Sequence, residues 1–428
     1  MYPNLYFVFK DWFGVEWKFL SIFNSFGLFV AISFLLAAYV LRIELKRKCK
    51  DGVMTPIEQT IEVGKPASIV DLLTNFIMGF ILGYKILGLL VSMKKLTGTP
   101  QEYLFSSQGN LFLGLLVGGL FAYFKWKEKD KQKLAVPEKR VIRVWPYDRV
   151  GEMTMLALVF GVIGSKLFDT FENWDDFIKD PSSIFSASGL TFYGGLICAG
   201  IALYLFCKKN KIGFAHFADV MGPIMILAYG IGRIGCQVAG DGDWGIYNTA
   251  FKTMTDMPGV MAGTVQDFNQ VVTTHADYFS HHTTHNAFFA KPDWLGFLPD
   301  WFFAYDYPNN VNSDGIPLKN CVGLEYCNHL PAPVFPTPLY EIIMSLAIFG
   351  ILWLMRKRMK YASVLFGVYL VFNGFERFLI ESIRVNNKMN FLGMQITQAQ
   401  LISSSLMILG VLVIIYAFQK KIPIKKEL

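Results

Sequence analysis

The residues of this 428-residue chain that could do chemistry fall into a few short stretches. In "GRIGCQVAGDGDWG", residues 232–245, Arg233 is surrounded by Gly232, Gly235, Gly240, Gly242 and Gly245, and followed by Asp241 and Asp243. A guanidinium is a planar fork that pairs bidentately with phosphate oxygens, and glycine leaves the backbone bare where a headgroup must come close. "GFERFLIESIR" sets Arg377 inside an apolar run, where a charge at mid-bilayer costs about 2.5–3.5 kcal/mol and tends to mark function. Glu381 follows one helical turn later and Arg384 three residues further on the same face. "FYGG" adds Tyr193, Gly194 and Gly195, and "FPTPLYE" adds Tyr340 and Glu341. Together they describe a pocket for a phospholipid headgroup. Asp241 and Asp243 suit three tasks, holding arginines, binding polyol hydroxyls or taking a proton, and a structural Arg377–Glu381 pair is the competing account of that motif.

The elements that must position these residues are membrane spans. The chain is 53% hydrophobic and 17% charged, and its apolar residues recur in blocks of roughly 20, the length that crosses about 30 Å of hydrocarbon. Nine blocks are expected, at 22–42, 70–93, 109–125, 153–171, 189–207, 213–231, 339–355, 361–381 and 397–418: an all-α polytopic membrane protein. "MYPNLYFVFKDWFGVEWKF" lacks the basic start and small-residue cleavage site of a removable leader. The net charge of +7 reflects basic runs in alternate loops, "RIELKRKCK", "KWKEKDKQKLAVPEKRVIR", "CKKNK" and "RKRMK", and in the tail. By the positive-inside rule this places the N-terminus outside and the C-terminus in the cytoplasm, and argues for topology over nucleic acid. On that topology every candidate stretch falls at an outer helix end.

The expected organisation is residues 1–68 (first span and cytoplasmic loop), 69–149 (an extra hairpin and basic loop), 150–245 (the core with the Arg233 motif), 246–335 (a small extracytoplasmic insertion) and 336–428 (the last spans). Residues 69–132 lie over 150–211: "FILGYKIL" matches "GVIGSKLF", and "FSSQGNLFLGLLVGGLFAYF" matches "FSASGLTFYGGLICAGIALY". The second hairpin carries Tyr193 and Gly195 where the first has Leu113 and Leu115, so the second is expected to hold the chemistry. Lys85 and Lys166 read as interfacial anchors. In the insertion, Cys321 and Cys327 are open to a disulfide, and His281, His285 and His329 read as polar loop residues, since a metal needs three or four converging ligands.

The ordered motifs resemble the prolipoprotein diacylglyceryl transferase family: the Arg233 signature, "FG" at 26–27, "GVIGSKLF" at 161–168, "FYGGL" at 192–196, "FADVMGP" at 217–223, "FPTPLYE" at 335–341 and "ERFLIESIR" at 376–384. The sequence departs from the family pattern at Tyr193 (commonly His), Cys236 (Asn), Asp241 (Glu), Asn373 (Tyr), Phe335 (His) and Phe26 (Tyr). The resemblance implies an enzyme of the bacterial cytoplasmic membrane, active at its outer face. That family moves the diacylglyceryl group of phosphatidylglycerol to the lipobox cysteine of preprolipoproteins, forming a thioether and releasing glycerol 1-phosphate.

For that reaction the candidate catalytic residues are Arg233, Arg377, Tyr193, Asp241 and Glu381. Phosphatidylglycerol would be bound by Arg233, Gly194, Gly195, Arg377, Arg384, Tyr340, Glu341 and Asp243, and no cofactor or metal is called for. The expected partners are phosphatidylglycerol, the preprolipoprotein signal peptide and membrane lipids. A free thiol is only a few per cent thiolate at neutral pH, so the arginines would lower its pKa and neutralise the departing phosphate, with Glu381 or Asp241 as base and Tyr193 as hydrogen-bond partner. A polytopic transporter or channel, and another phospholipid headgroup transferase or phosphatase, are the alternatives.

Overall fold

The computed structural model describes the chain apart from residues 93–102, 104–105, 182–190, 255–256, 320–324, 386–387, 392–393 and 426–428. Its principal helices are α1 (Leu5–Phe13), α2 (Ser25–Lys50), α3 (Ile69–Ser92), α4 (Leu111–Lys131), α5 (Val150–Glu172), α6 (Phe192–Lys209), α7 (Phe214–Ala239), α8 (Thr337–Met355), α9 (Val364–Glu381) and α10 (Gln398–Lys420). Among the described residues α2, α3, α5 (with the turn before it), α7, α8 and α10 are long and apolar enough to cross a membrane. The other three expected blocks, α4, α6 and α9, are helical as well, and each carries charged residues toward one end. The chain forms two compact units, Met1–Val53 with Gly213–Leu428, and Met54–Ile212.

In the first unit the helices alternate in direction. Gly235 near the end of α7 lies against Phe26 at the start of α2, where an added Cβ would stand 3.1 Å from the Phe26 Cα. Ion pairs tie the same end of α7, and the end of α9, to the start of α8. Gly374 meets the Ser403 carbonyl near the start of α10. One end of this unit therefore gathers the starts of α2, α8 and α10 and the ends of α7 and α9. An apolar cluster of Ile226, Ile348, Leu352, Leu365, Tyr369 and Leu370 packs between the ends. At the opposite end Asp219 accepts the N–H groups of Ser363 (2.9 Å) and Phe366 (3.0 Å). It thereby satisfies donors at the start of α9 that the helix itself leaves orphaned.

The sequence expects α7 to stop near residue 231, but it runs to Ala239. The first eight residues of the signature are its last two turns, and Gly240 (φ +65°) ends it. Three neighbours secure that terminus: Tyr2 donates its N–H to the Val238 carbonyl (2.8 Å), Val311 donates to Ala239 (2.9 Å), and the Tyr307 hydroxyl donates to the Gln237 side chain (3.0 Å). The described residues of 246–335 contain two aromatic clusters, one built on Tyr247, Phe268, Phe279 and Tyr307, the other on Phe251 and Phe303.

The second unit contains both copies of the repeat, each an antiparallel helix pair. A Cβ at Gly83 of α3 would fall 2.2 Å from the Leu113 carbonyl oxygen of α4, and one at Gly164 of α5 would fall 2.4 Å from the Gly194 carbonyl oxygen of α6. The duplicated glycines thus make the same close crossing in both pairs. Two features differ from the all-α expectation and the anchor reading. Ile57–Val63 and Glu138–Val144 form an antiparallel ribbon, Ile57 opposite Val144, and Ile57, Ile61 and Val63, all on one face of the first strand, carry the period-2 signal of a strand. Lys85 turns from the anchor expectation to the chain itself: its ammonium donates to the carbonyls of Tyr103 (3.3 Å), Ser106 and Gln108 (2.7 Å), just before α4.

Candidate active site

The site is built on Glu341, in the second turn of α8 and fully buried. Arg233 reaches it from α7, its Nε 2.8 Å from one carboxylate oxygen. Arg377 on α9 and Arg384 just beyond α9 approach the other oxygen at 3.5 and 3.8 Å. The Tyr229 hydroxyl, one turn before Arg233, donates to the same oxygen at 2.9 Å, while the Arg233 guanidinium lies 5.1 Å from the centre of the Tyr229 ring. A second carboxylate, Asp243, pairs with Arg233 and with Arg384 (2.7 Å). Arg377 also pairs with Glu381 at 3.1 Å. Glu341 and Asp243 thus hold Arg233 of α7 together with Arg377 and Arg384, which lie far along the chain from it at the end of α9. Taking charges out of water is unfavourable unless each is paired, so the carboxylates are what let the guanidiniums gather.

The loop after α7 is held to α8 and α9 by its backbone. Gly242 adopts φ +96°. The Thr337 hydroxyl donates to the Asp243 carbonyl at 2.7 Å. Gly245 pairs with Arg384 as an isolated bridge, and a Cβ there would stand 2.6 Å from the Ile383 carbonyl oxygen. This contact, not a ligand, is what demands glycine at residue 245.

Outside the helices the electrostatics separate the two aspartates. Burial alone would raise Asp243, but Arg233 and Arg384 hold it below the usual carboxylate range. Burial raises Asp241 above that range, and among the described residues it makes no ion pair. For Arg384, burial opposes the charge, and Asp243 with Glu341 more than restores it.

Of the expected site residues, Arg233, Arg377, Arg384, Glu341, Glu381 and Asp243 come together, with Asp241 beside them. Tyr340 sits next to Glu341, but its hydroxyl donates to the Phe302 carbonyl at 2.7 Å, so its resolved bond is to the insertion. Tyr193, Gly194 and Gly195 begin α6 in the second unit. There Gly194 is pressed on Gly164 and Phe168, and Gly195 on Ser165 and Gly161. Helix packing alone accounts for glycine at both positions.

Two residues of the cluster carry no role in the sequence reading. Tyr229 is one. The other is Glu376, 1% exposed, whose two carboxylate oxygens find no hydrogen-bond donor among the described residues. Its signal was present, because a second charge beside Arg377 in an apolar run is as costly as the first.

Cys236, Asp241 and Asp243 bring donor atoms within 4.8 Å of one another, but Arg233 already donates to the Cys236 sulfur (3.6 Å) and pairs with Asp243, so a cation occupies that position. In the insertion Cys327 is disulfide-bonded, while Cys321 lies outside the described residues. His329 is buried 3.3 Å from Asp306, and His281 and His285 are exposed.

A family model described as "Prolipoprotein diacylglyceryl transferase" matches residues 110–416. The chain belongs to this family. The match takes in the second hairpin, the whole Glu341 cluster and the insertion. Among similar proteins, each called phosphatidylglycerol--prolipoprotein diacylglyceryl transferase, one from Leptospira interrogans is 25% identical over 55% of this chain and 61% of its own length. One from Symbiobacterium thermophilum is 26% identical over 63% of this chain and 78% of its own length. One from Streptococcus sanguinis is 24% identical over 72% and 90%. The chain thus spans about three fifths of the Leptospira relative.

Proposed function

We propose that this protein transfers the diacylglyceryl group of phosphatidylglycerol to the thiol of a preprolipoprotein lipobox cysteine, leaving a thioether and glycerol 1-phosphate. The observation that carries this reading is the convergence of Arg233, Arg377 and Arg384 on one buried carboxylate, Glu341. A phosphodiester carries one negative charge, and cleavage of its carbon–oxygen bond leaves a second on the departing monoester. A cluster of guanidiniums fixed in advance stabilises that charge without reorganisation. In the step itself the cysteine sulfur bonds to the glyceryl carbon as the carbon–oxygen bond breaks, and that electron pair leaves on the phosphate oxygen. The thiol proton goes to Asp241, which among the described residues forms no ion pair with an arginine, and from there to the released phosphate or to water. Glu381, tied to Arg377, is a positioning residue in this scheme.

The remaining parts of the reading follow from the same chemistry. All nine apolar helices cross the bacterial cytoplasmic membrane, the C-terminus is cytoplasmic, and the Glu341 end of the first unit faces outward together with the insertion. The disulfide at Cys327 supports an oxidising surroundings for that side. Gathering of charge at one helix end favours interfacial transfer over a polar path through the bilayer. Membranes containing the protein, labelled phosphatidylglycerol and a lipobox peptide should yield a labelled thioether. Arg233→Ala should lower that yield by about 100-fold or more, the cost of losing a transition-state donor. Near-normal transfer by the variant would refute the arginine's role. Phospholipid turnover without peptide modification would identify a headgroup hydrolase instead.

A further inference from the structure

The insertion presents an aromatic surface that the reaction does not use. Between Phe288 and Trp301 the chain forms a strap with Trp294 77% and Phe297 79% exposed, and with Phe288, Phe289 and Trp301 also open. The strap is built, not loose. Asn248, fully buried, donates to the carbonyls of Phe289 (3.0 Å) and Phe303 (3.1 Å) and accepts the Phe289 N–H (3.1 Å), so one side chain pins both ends. Lys291 and Asp300 pair at 3.2 Å across the neck.

The height of the strap is fixed by α8. Nineteen residues at about 1.5 Å each rise about 28 Å, so α8 needs nearly its whole length to cross about 30 Å of hydrocarbon. Its first turn must then stand at the hydrocarbon boundary. Tyr340 lies in that turn, with its hydroxyl on the Phe302 carbonyl and its ring 5.6 Å from the Phe302 ring. Phe289 likewise meets Phe335, two residues before α8, with ring centres 6.3 Å apart. The strap is therefore hooked to the bilayer edge. Trp and Phe side chains gain there what they lose in water, tryptophan above all at headgroup level. At the same end of the unit Trp12, Phe13 and Trp17 are exposed ahead of α2.

We infer that the strap 288–301 is a membrane-seated anchor, with Trp294 and Phe297 inserted among the headgroups and upper acyl chains of the leaflet on the insertion's side. It would hold the insertion down beside the Glu341 cluster, and its occupant is lipid and not a signal peptide or a second copy of the chain. The inference rests on the membrane-spanning character of α8, not on the proposed reaction.

The test uses the full-length protein in phosphatidylglycerol/phosphatidylethanolamine vesicles. The fluorescence difference between wild type and Trp294→Phe isolates one indole. That signal should be blue-shifted and quenched about two-fold or more by lipids brominated near the headgroup, as expected of an interfacial indole, and shielded from iodide. Quenching by iodide with no response to brominated lipid would overturn the inference. So would an indole that is iodide-accessible until a lipobox signal peptide is added, or until protein density in the vesicles is raised, since each outcome names a different occupant. Trp301→Phe, on the same strap, provides a second readout if Trp294→Phe fails to fold.

Discussion

The Glu341 end of the first unit and the crossing of α5 with α6 look alike in sequence and differ in what they do. Both pair glycines with a polar side chain at a helix terminus, Arg233 among its glycines and Tyr193 before Gly194 and Gly195. At the first, the buried Glu341 and the half-buried Asp243 gather three arginines. At the second, Gly164 and Gly194 let two helices touch, as their counterparts Gly83 and Gly114 do in the first hairpin, where Leu115 stands in place of Gly195. The lesson is that glycine in a motif records a close approach without naming what approaches. The neighbour that a Cβ would strike decides between ligand and helix.

The sharpest way to break this contrast is Glu341→Ala. Removing one partner of a buried ion pair costs about 3–5 kcal/mol, and here three guanidiniums lose a shared acceptor, so diacylglyceryl transfer should fall below detection and the detergent-solubilised protein should melt earlier. Retained transfer would show that the arginines hold their places without it. Gly194→Leu tests the other side. Overpacking a close crossing costs about 1–3 kcal/mol, and thermal unfolding should register that loss, whereas a glycine reserved for a headgroup would leave stability intact and raise only KM.

Asp241→Asn is expected to slow transfer by about 10²-fold, the usual contribution of a positioned base, with Asp243→Asn distinguished by its acid stability. The folded Asp243 titrates below its unfolded value. Its contribution is therefore present above the unfolded pKa of about 3.9 and is lost as pH falls through the lower folded value. Asp243→Asn should flatten the unfolding profile in that acidic window, and an unchanged profile would mean that the pairs with Arg233 and Arg384 carry no net stability. The smallest effect is expected from Gly232→Ala. Nothing lies within 4 Å of a Cβ there, and alanine in a helix interior gains about 0.5–1 kcal/mol over glycine. A gain in stability with a loss of transfer would mark Gly232, unlike Gly194, as a place where substrate comes close.

Much of the cluster was legible because charges in an apolar run are expensive, and Arg377 and Arg233 therefore stand out without any fold. Glu381 and Arg384 follow from helical spacing. Tyr229 carries no such signal because a tyrosine in a span is cheap, and Glu376 is hidden by its neighbour Arg377, whose charge the same motif already contains. The end of α7 was misplaced by eight residues, since glycines usually stop a helix, and here Gly232 and Gly235 sit inside it. The β-ribbon does not stand out in the sequence, because the charges of the loops that carry it mask the spacing of Ile57, Ile61 and Val63.

The sequence by itself determined the membrane class, the duplicated hairpin and the family, because hydrocarbon thickness, repeat spacing and ordered motifs are all written along one dimension. Only the tertiary structure decided that Glu341 is the hub of the three arginines, that Gly194 and Gly195 lie against residues of α5, and that Asp241 stands apart from Asp243. Those are matters of which side chain faces which across helices remote in the chain. The energy of a buried charge depends on that neighbour and not on its position in sequence.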